Sequence, residues 1–138
     1  MKEIIFNIKP LAKPRMTKRD TWLCSSKYKP RNKKEENRQQ MLIKYWNYKD
    51  NLNILSKENG YKIDKELKDI TFVIKIPKSI SKKKTLEIVG KPHDKKPDLD
   101  NLIKAFQDCL LDNDSFVYRY NNVQKLWGLD DMIIIVTD

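Results

Sequence analysis

The stretch DITFVIKIP, residues 69–77, is the clearest strand in the chain. Ile70, Phe72, Ile74 and Ile76 recur at every second position, which turns one face of an extended backbone apolar. Pro77 ends the run because it has no N–H for a ladder. Upstream, EIIFNI (3–8) shows the same period through Ile4, Phe6 and Ile8, and stops before Pro10. Between them, residues 35–57 carry Met41, Leu42, Tyr45, Trp46 and, less regularly, Leu52 and Leu55, which predicts a helix halted by the Asn-Gly at 59–60. Downstream, residues 78–97 form a lysine-rich loop with Gly90, Pro92 and Pro97. Then Leu102, Ala105, Phe106, Cys109 and Leu110 fall at i, i+3, i+4, i+7 and i+8, one apolar helix face. Two strands follow, around 116–127 and at MIIIVT (132–137), joined by a turn at GLDD. This order predicts one α+β domain over 1–138, with a small mixed sheet and two main helices.

Composition narrows the function classes. With 138 residues and 39% apolar content, the chain suits one modest core. No apolar run approaches the ~18 residues of a membrane span, and the N-terminus has neither the apolar core nor the small-residue site of a secretory signal. Cys24 and Cys109 lack metal or disulfide spacing, so a reducing, cytoplasmic setting is expected. The formal charge is +10, and it is clustered. Residues 1–34 hold eleven basic against two acidic residues, and residues 75–96 eight lysines against Glu87 and Asp94. Such a field attracts a polyanion and releases its counterions, so a nucleic-acid partner is expected.

Against that background, residues 96–115, KPDLDNLIKAFQDCLLDNDS, hold five aspartates. Asp98 and Asp100 open the second helix. Aspartate is a favoured N-cap and suits a helix dipole, which accounts for one of them and tolerates the other. The alternative is a metal site: Mg²⁺ prefers a few carboxylate oxygens, with water and substrate phosphate completing its shell. Lys104, one turn after Asp100, would share its face and can hold a phosphate oxygen; it can equally pair with Asp100 or Asp108 on the surface.

KPDLDNLIKAFQDCL (96–110), followed by Asp114-Ser115-Phe116-Val117, closely resembles the RusA family of Holliday junction endonucleases, common in phages and prophages. KPRMTKRDTW (13–22) looks like the basic N-terminal signature of phage-type members, and KLWG (125–128) like their C-terminal hairpin; residues 23–95 match by layout only. The resemblance implies a RusA-like fold and a Mg²⁺-dependent homodimer, with Mn²⁺ as a possible substitute, that resolves four-way DNA junctions by symmetric nicks. It matches Asp98, Asp100 and Asp114 to the family's metal-binding acids, Lys104 to its essential lysine, and Asp108 to a further helix acid. Where many members have two aspartates, this chain has Asn113-Asp114, and the linker after Asp108 is shorter. A helix from Asp100 to Leu110 rises roughly 15 Å, so Asp114 must either fold back or complete the partner subunit's site.

Residues 9–34 read as a long basic arm. Lys13, Arg15, Lys18 and Arg19, with Lys95 and Lys96 ahead of the acids, are the candidate DNA contacts, and the prolines keep the arm extended. Trp22 and Tyr28 can stack on unpaired bases, though packing against the domain is the commoner role. His93 reads as a surface residue or phosphate contact, Tyr45 and Trp46 as core, and Trp127 as packed on the terminal hairpin. Two other functions stay open on the residues: a non-catalytic nucleic-acid-binding module whose aspartates only cap a helix, and a nuclease of broader branch specificity.

Overall fold

The computed structural model describes residues 2–15, 20, 23, 27–111, 115 and 117–137. Its sheet is built on β2 (Glu66–Lys75), which pairs antiparallel with β4 (Met132–Thr137) on one side and parallel with β3 (Arg119–Gly128) on the other. β1 (Lys2–Phe6) adds antiparallel to β4, giving the order β1-β4-β2-β3. Register aligns the apolar positions: Ile4 and Ile70 both face Ile135, and Phe6 and Phe72 both face Ile133. All six are buried. The expected terminal hairpin is therefore absent: β3 and β4 are consecutive in sequence but lie on opposite sides of β2. A short turn joins elements end to end, yet which edge each strand takes is decided by the sheet as a whole.

β2 begins three residues earlier than the period-2 pattern predicts. Asp69 and Asn122 both adopt left-handed backbone (φ 55°) at the point where the β2–β3 pairing skips a residue, and Asn122 Nδ2 donates to Asp69 Oδ1 at 2.9 Å. Aspartate and asparagine tolerate this region better than other L-residues. The shift lets Leu67 and Ile70, three apart, both point into the core. At the far end of the pair, Gly128 meets β2 so closely that a Cβ would overlap Val73 Cγ1.

α1 (Lys33–Asn59) and α3 (Leu99–Leu110) share one core with the strands. α1 starts at Asn32, whose side chain accepts from Glu35 N–H at 2.9 Å, and ends at Gly60 in left-handed conformation. Its buried stripe is Leu42, Tyr45, Tyr48 and Leu52. Trp46, expected in the core, is 42% exposed, because it sits one position off that stripe; Lys49 Nζ lies 5.5 Å from its ring centroid. From α3, Phe106 packs edge-on to Phe72 at 5.9 Å, and Asn53 of α1 donates to the Cys109 carbonyl at 2.9 Å.

Within the stretch read as a lysine-rich loop lies α2 (Lys82–Ile88), capped by Ser81. It buries no residue, and Leu86 is 77% exposed. A helix with no apolar stripe leaves no periodic signal to read. Among the described residues, no helix is long and apolar enough to cross a membrane.

Candidate active site

α3 presents two faces. Leu102, Ile103, Ala105, Phe106 and Cys109 go inward; Asp100, Asn101 and Lys104 are exposed. Asp98 occupies the N-cap position, with extended backbone (φ −68°, ψ 145°) and its carbonyl accepting from Leu102 N–H at 3.1 Å. Its side chain, however, makes no capping hydrogen bond. The cap that would explain an aspartate here is not formed, so the carboxylate is left over. Among the described residues, Asp98, Asp100 and Lys104 form no side-chain hydrogen bond or ion pair either.

Asp108 belongs to a different arrangement. Its Oδ2 lies 2.5 Å from Lys13 Nζ, not from Lys104. Lys13 N–H also donates to the Asn101 carbonyl at 3.4 Å, so the N-terminal arm runs beside α3 with two ties. Farther on, the Arg38 guanidinium holds the Arg15 carbonyl and bonds Asp20 at 2.7 and 3.1 Å. Between arm and helix lies a cavity of about 550 Å³ lined by Lys13, Pro14, Arg15, Asn101 and Lys104. Its lining is polar and carries three cations, of which Lys13 is paired with Asp108 and Arg15 and Lys104 form no ion pair among the described residues.

Lys95 and Lys96 are exposed just before Asp98. His93, expected at the surface, is 5% exposed and lies against the half-buried Trp127, with ring centroids 4.2 Å apart and planes tilted by 53°. Burial, and then the nearby Lys125 charge, push its pKa down, which favours the neutral ring. Tyr28, half-buried, donates its hydroxyl to Glu35, a structural contact. The Cys109 thiol behind α3 is buried and its pKa raised by that burial, so it is a packing group. Asp114, Lys18, Arg19, Trp22 and Cys24 lie outside the described residues.

Sequence reasoning missed Lys125, whose ammonium donates to the carbonyls of Lys95 and Pro97, and Asn101, whose carbonyl receives the arm. Backbone carbonyls leave no trace in residue type, so neither had a signal. Among the described residues, no group of three or more Asp, Glu, His or Cys is placed to hold a metal. What those residues do offer an ion is two exposed carboxylates two positions apart, hard oxygen donors not consumed by the fold. That donor chemistry fits Mg²⁺ or Mn²⁺, with further ligands needed.

A family model described as endodeoxyribonuclease RusA matches residues 8–136 of the 138. The chain belongs to the RusA endodeoxyribonuclease family, whose members resolve Holliday junctions. No curated protein and no solved structure matches it.

Proposed function

We propose that this protein is a Mg²⁺-dependent endodeoxyribonuclease that resolves four-way DNA junctions by paired, symmetric phosphodiester cuts. Asp98, Asp100 and Asp114 hold the metal, with Mn²⁺ able to substitute. When bound, such an ion polarises the phosphoryl group and lowers the pKa of water. Lys104, one helical turn from Asp100, holds a non-bridging phosphate oxygen and offsets charge that builds up during cleavage. Lys13 and Arg15 line the cleft; with Lys18, Arg19, Lys95 and Lys96 they bind the sugar-phosphate backbone. A homodimer would match the two-fold symmetry of the junction and place one site at each cut.

The observation that carries this reading is the Asp98 carboxylate, which stands at a helix N-cap without capping it. A capping role would require that bond, and without it only the weaker helix-dipole interaction is left to account for the acid structurally. The test is nicking of a synthetic four-way junction compared with a flap and a linear duplex, with Mg²⁺ and with EDTA. Paired cuts on the junction that need Mg²⁺ are the expected result. Junction binding with no cleavage under any condition would favour a non-catalytic binding module, and equal cutting of flap and junction a broader nuclease. Mixing Asp98→Asn with Asp114→Asn subunits asks where Asp114 acts. Regained nicking means the site is shared across the dimer, and none means it is built within one chain.

A further inference from the structure

The site depends on where Asp98 is held: after it, Leu99 packs against the core and Leu102 N–H bonds the Asp98 carbonyl at 3.1 Å, but the chain that leads into it is held by less. α2, the element before it, buries nothing. From Gly90 to His93 the backbone lies along the outer edge of β3. Gly90 N–H donates to the Trp127 carbonyl at 2.8 Å, Trp127 N–H to Lys91 at 2.9 Å, and His93 N–H to Lys125 at 3.2 Å. Pro92 sits opposite Leu126 in the same ladder, and the buried His93 ring closes it by packing, tilted, against Trp127. Past His93 the ladder stops. Among the described residues, no backbone–backbone hydrogen bond ties residues 94–97 to anything else.

The tie that remains is one side chain. Lys125 Nζ, on β3, donates to the Lys95 carbonyl and to the Pro97 carbonyl, each at 2.7 Å. Two of its three ammonium protons are thereby committed to alternate carbonyls of one short segment. The Pro97 carbonyl belongs to the peptide that enters Asp98. Fixing that plane limits how far the start of α3, and so the free Asp98 carboxylate, can move.

We propose that Lys125 is a positioning residue for Asp98: through the carbonyls of Lys95 and Pro97 it holds the entry to α3 so that the carboxylate meets a divalent cation preformed. This rests on the function proposed above, with Asp98 as a metal ligand. Groups that orient a ligand from behind change metal affinity or activity by about 10- to 100-fold when removed.

The experiment titrates Mn²⁺ into metal-free, DNA-free protein by calorimetry, and measures junction binding in EDTA beside it. Lys125→Met keeps the aliphatic stem and loses the donors. It is expected to weaken Mn²⁺ about tenfold while junction affinity in EDTA stays within about twofold, and Lys125→Arg, with its forked donors, to recover part of the loss. In an Asp98→Asn background, Lys125→Met should cost no further Mn²⁺ affinity, because its effect runs through Asp98. Unchanged Mn²⁺ affinity in Lys125→Met overturns the proposal. So does an equal loss in the Asp98→Asn background, or a loss of EDTA-state junction binding that makes Lys125 a phosphate contact. Should Asp98→Asn alone leave Mn²⁺ binding intact, the metal-site assignment itself fails, a separate result from any behaviour of Lys125. If Lys125→Met does not fold, Lys125→Leu, which likewise has no donor, carries the same comparison.

Discussion

Two helices of this protein begin with acids, and the acids live differently. At the start of α1, Glu35 is 5% exposed. Both its oxygens accept from the Tyr28 hydroxyl at 2.9 Å, Arg31 N–H adds a bond at 2.9 Å, and the Arg31 guanidinium lies 3.4 Å away. The pairing pushes the exposed Arg31 pKa up, led by Glu35. Its own N–H is met by Asn32. At the start of α3, Asp98 and Asp100 are exposed and their carboxylates bond nothing among the described residues. Composition is the same, a helix start with carboxylates, but one end is committed to the fold and the other is held open. A buried acid must be satisfied by its own protein; an exposed one can wait for a ligand.

The contrast breaks most sharply under a crossed pair of substitutions. Asp98→Asn should cut junction nicking by about 10²–10³-fold, the rate equivalent of the several kcal/mol a bound metal contributes. Its unfolding free energy should stay within about 0.5 kcal/mol, as for most surface changes. A large stability loss in urea would mean that Asp98 does structural work after all. Glu35→Ala should do the reverse. It removes the charged acceptor of the Tyr28 hydroxyl and the Arg31 N–H, and should cost about 1.5–3 kcal/mol with the nicking rate per folded molecule preserved.

Asp108 stands between these extremes, half-buried and taken by Lys13. Asp108→Ala should cost at most about 1 kcal/mol of stability, since the pair is partly solvated. It should weaken junction binding by freeing the arm, and a gel-shift titration that finds affinity unchanged would remove the arm from the cleft. Arg15→Ala should lower the slope of log K against log salt by about 0.9, one phosphate contact, while Mn²⁺ affinity is unchanged.

The smallest effect is expected at His93, where burial favours the neutral ring. With the folded pKa below the unfolded value of about 6.5, the unfolded chain takes up the proton first as pH falls. Stability from this residue is therefore complete above that value and declines below it, down to the folded pKa. Thermal melts between pH 7.5 and 5 should show a shallower decline in His93→Phe than in the native sequence. Parallel curves would mean the ring titrates as freely folded as unfolded.

Much of the fold was legible because it is written in apolar period. The stripe through Leu102, Ala105, Phe106 and Cys109 and the alternation through Ile70 and Phe72 each named a buried face correctly. Partner choice was not legible. Nothing local in Met132–Thr137 says that it will sit between β1 and β2 instead of beside β3. Trp46 shows the same limit: its type says core, but its angle on α1 says surface, and angle prevails. At the candidate site, the acids at 98 and 100 and the lysine at 104 stood out in the sequence, and so did the family. The Lys125 bonds to the chain before Asp98 did not, since they go to carbonyls that every residue possesses.

α2 gives the comparison a last turn. A helix that hides none of its side chains contributes no interior that a substitution could spoil. Residues 82–88 are thus a place where the chain can be relabelled, lengthened or recharged with little disturbance to the rest, and Leu86, 77% exposed, is the position at which to attach a dye.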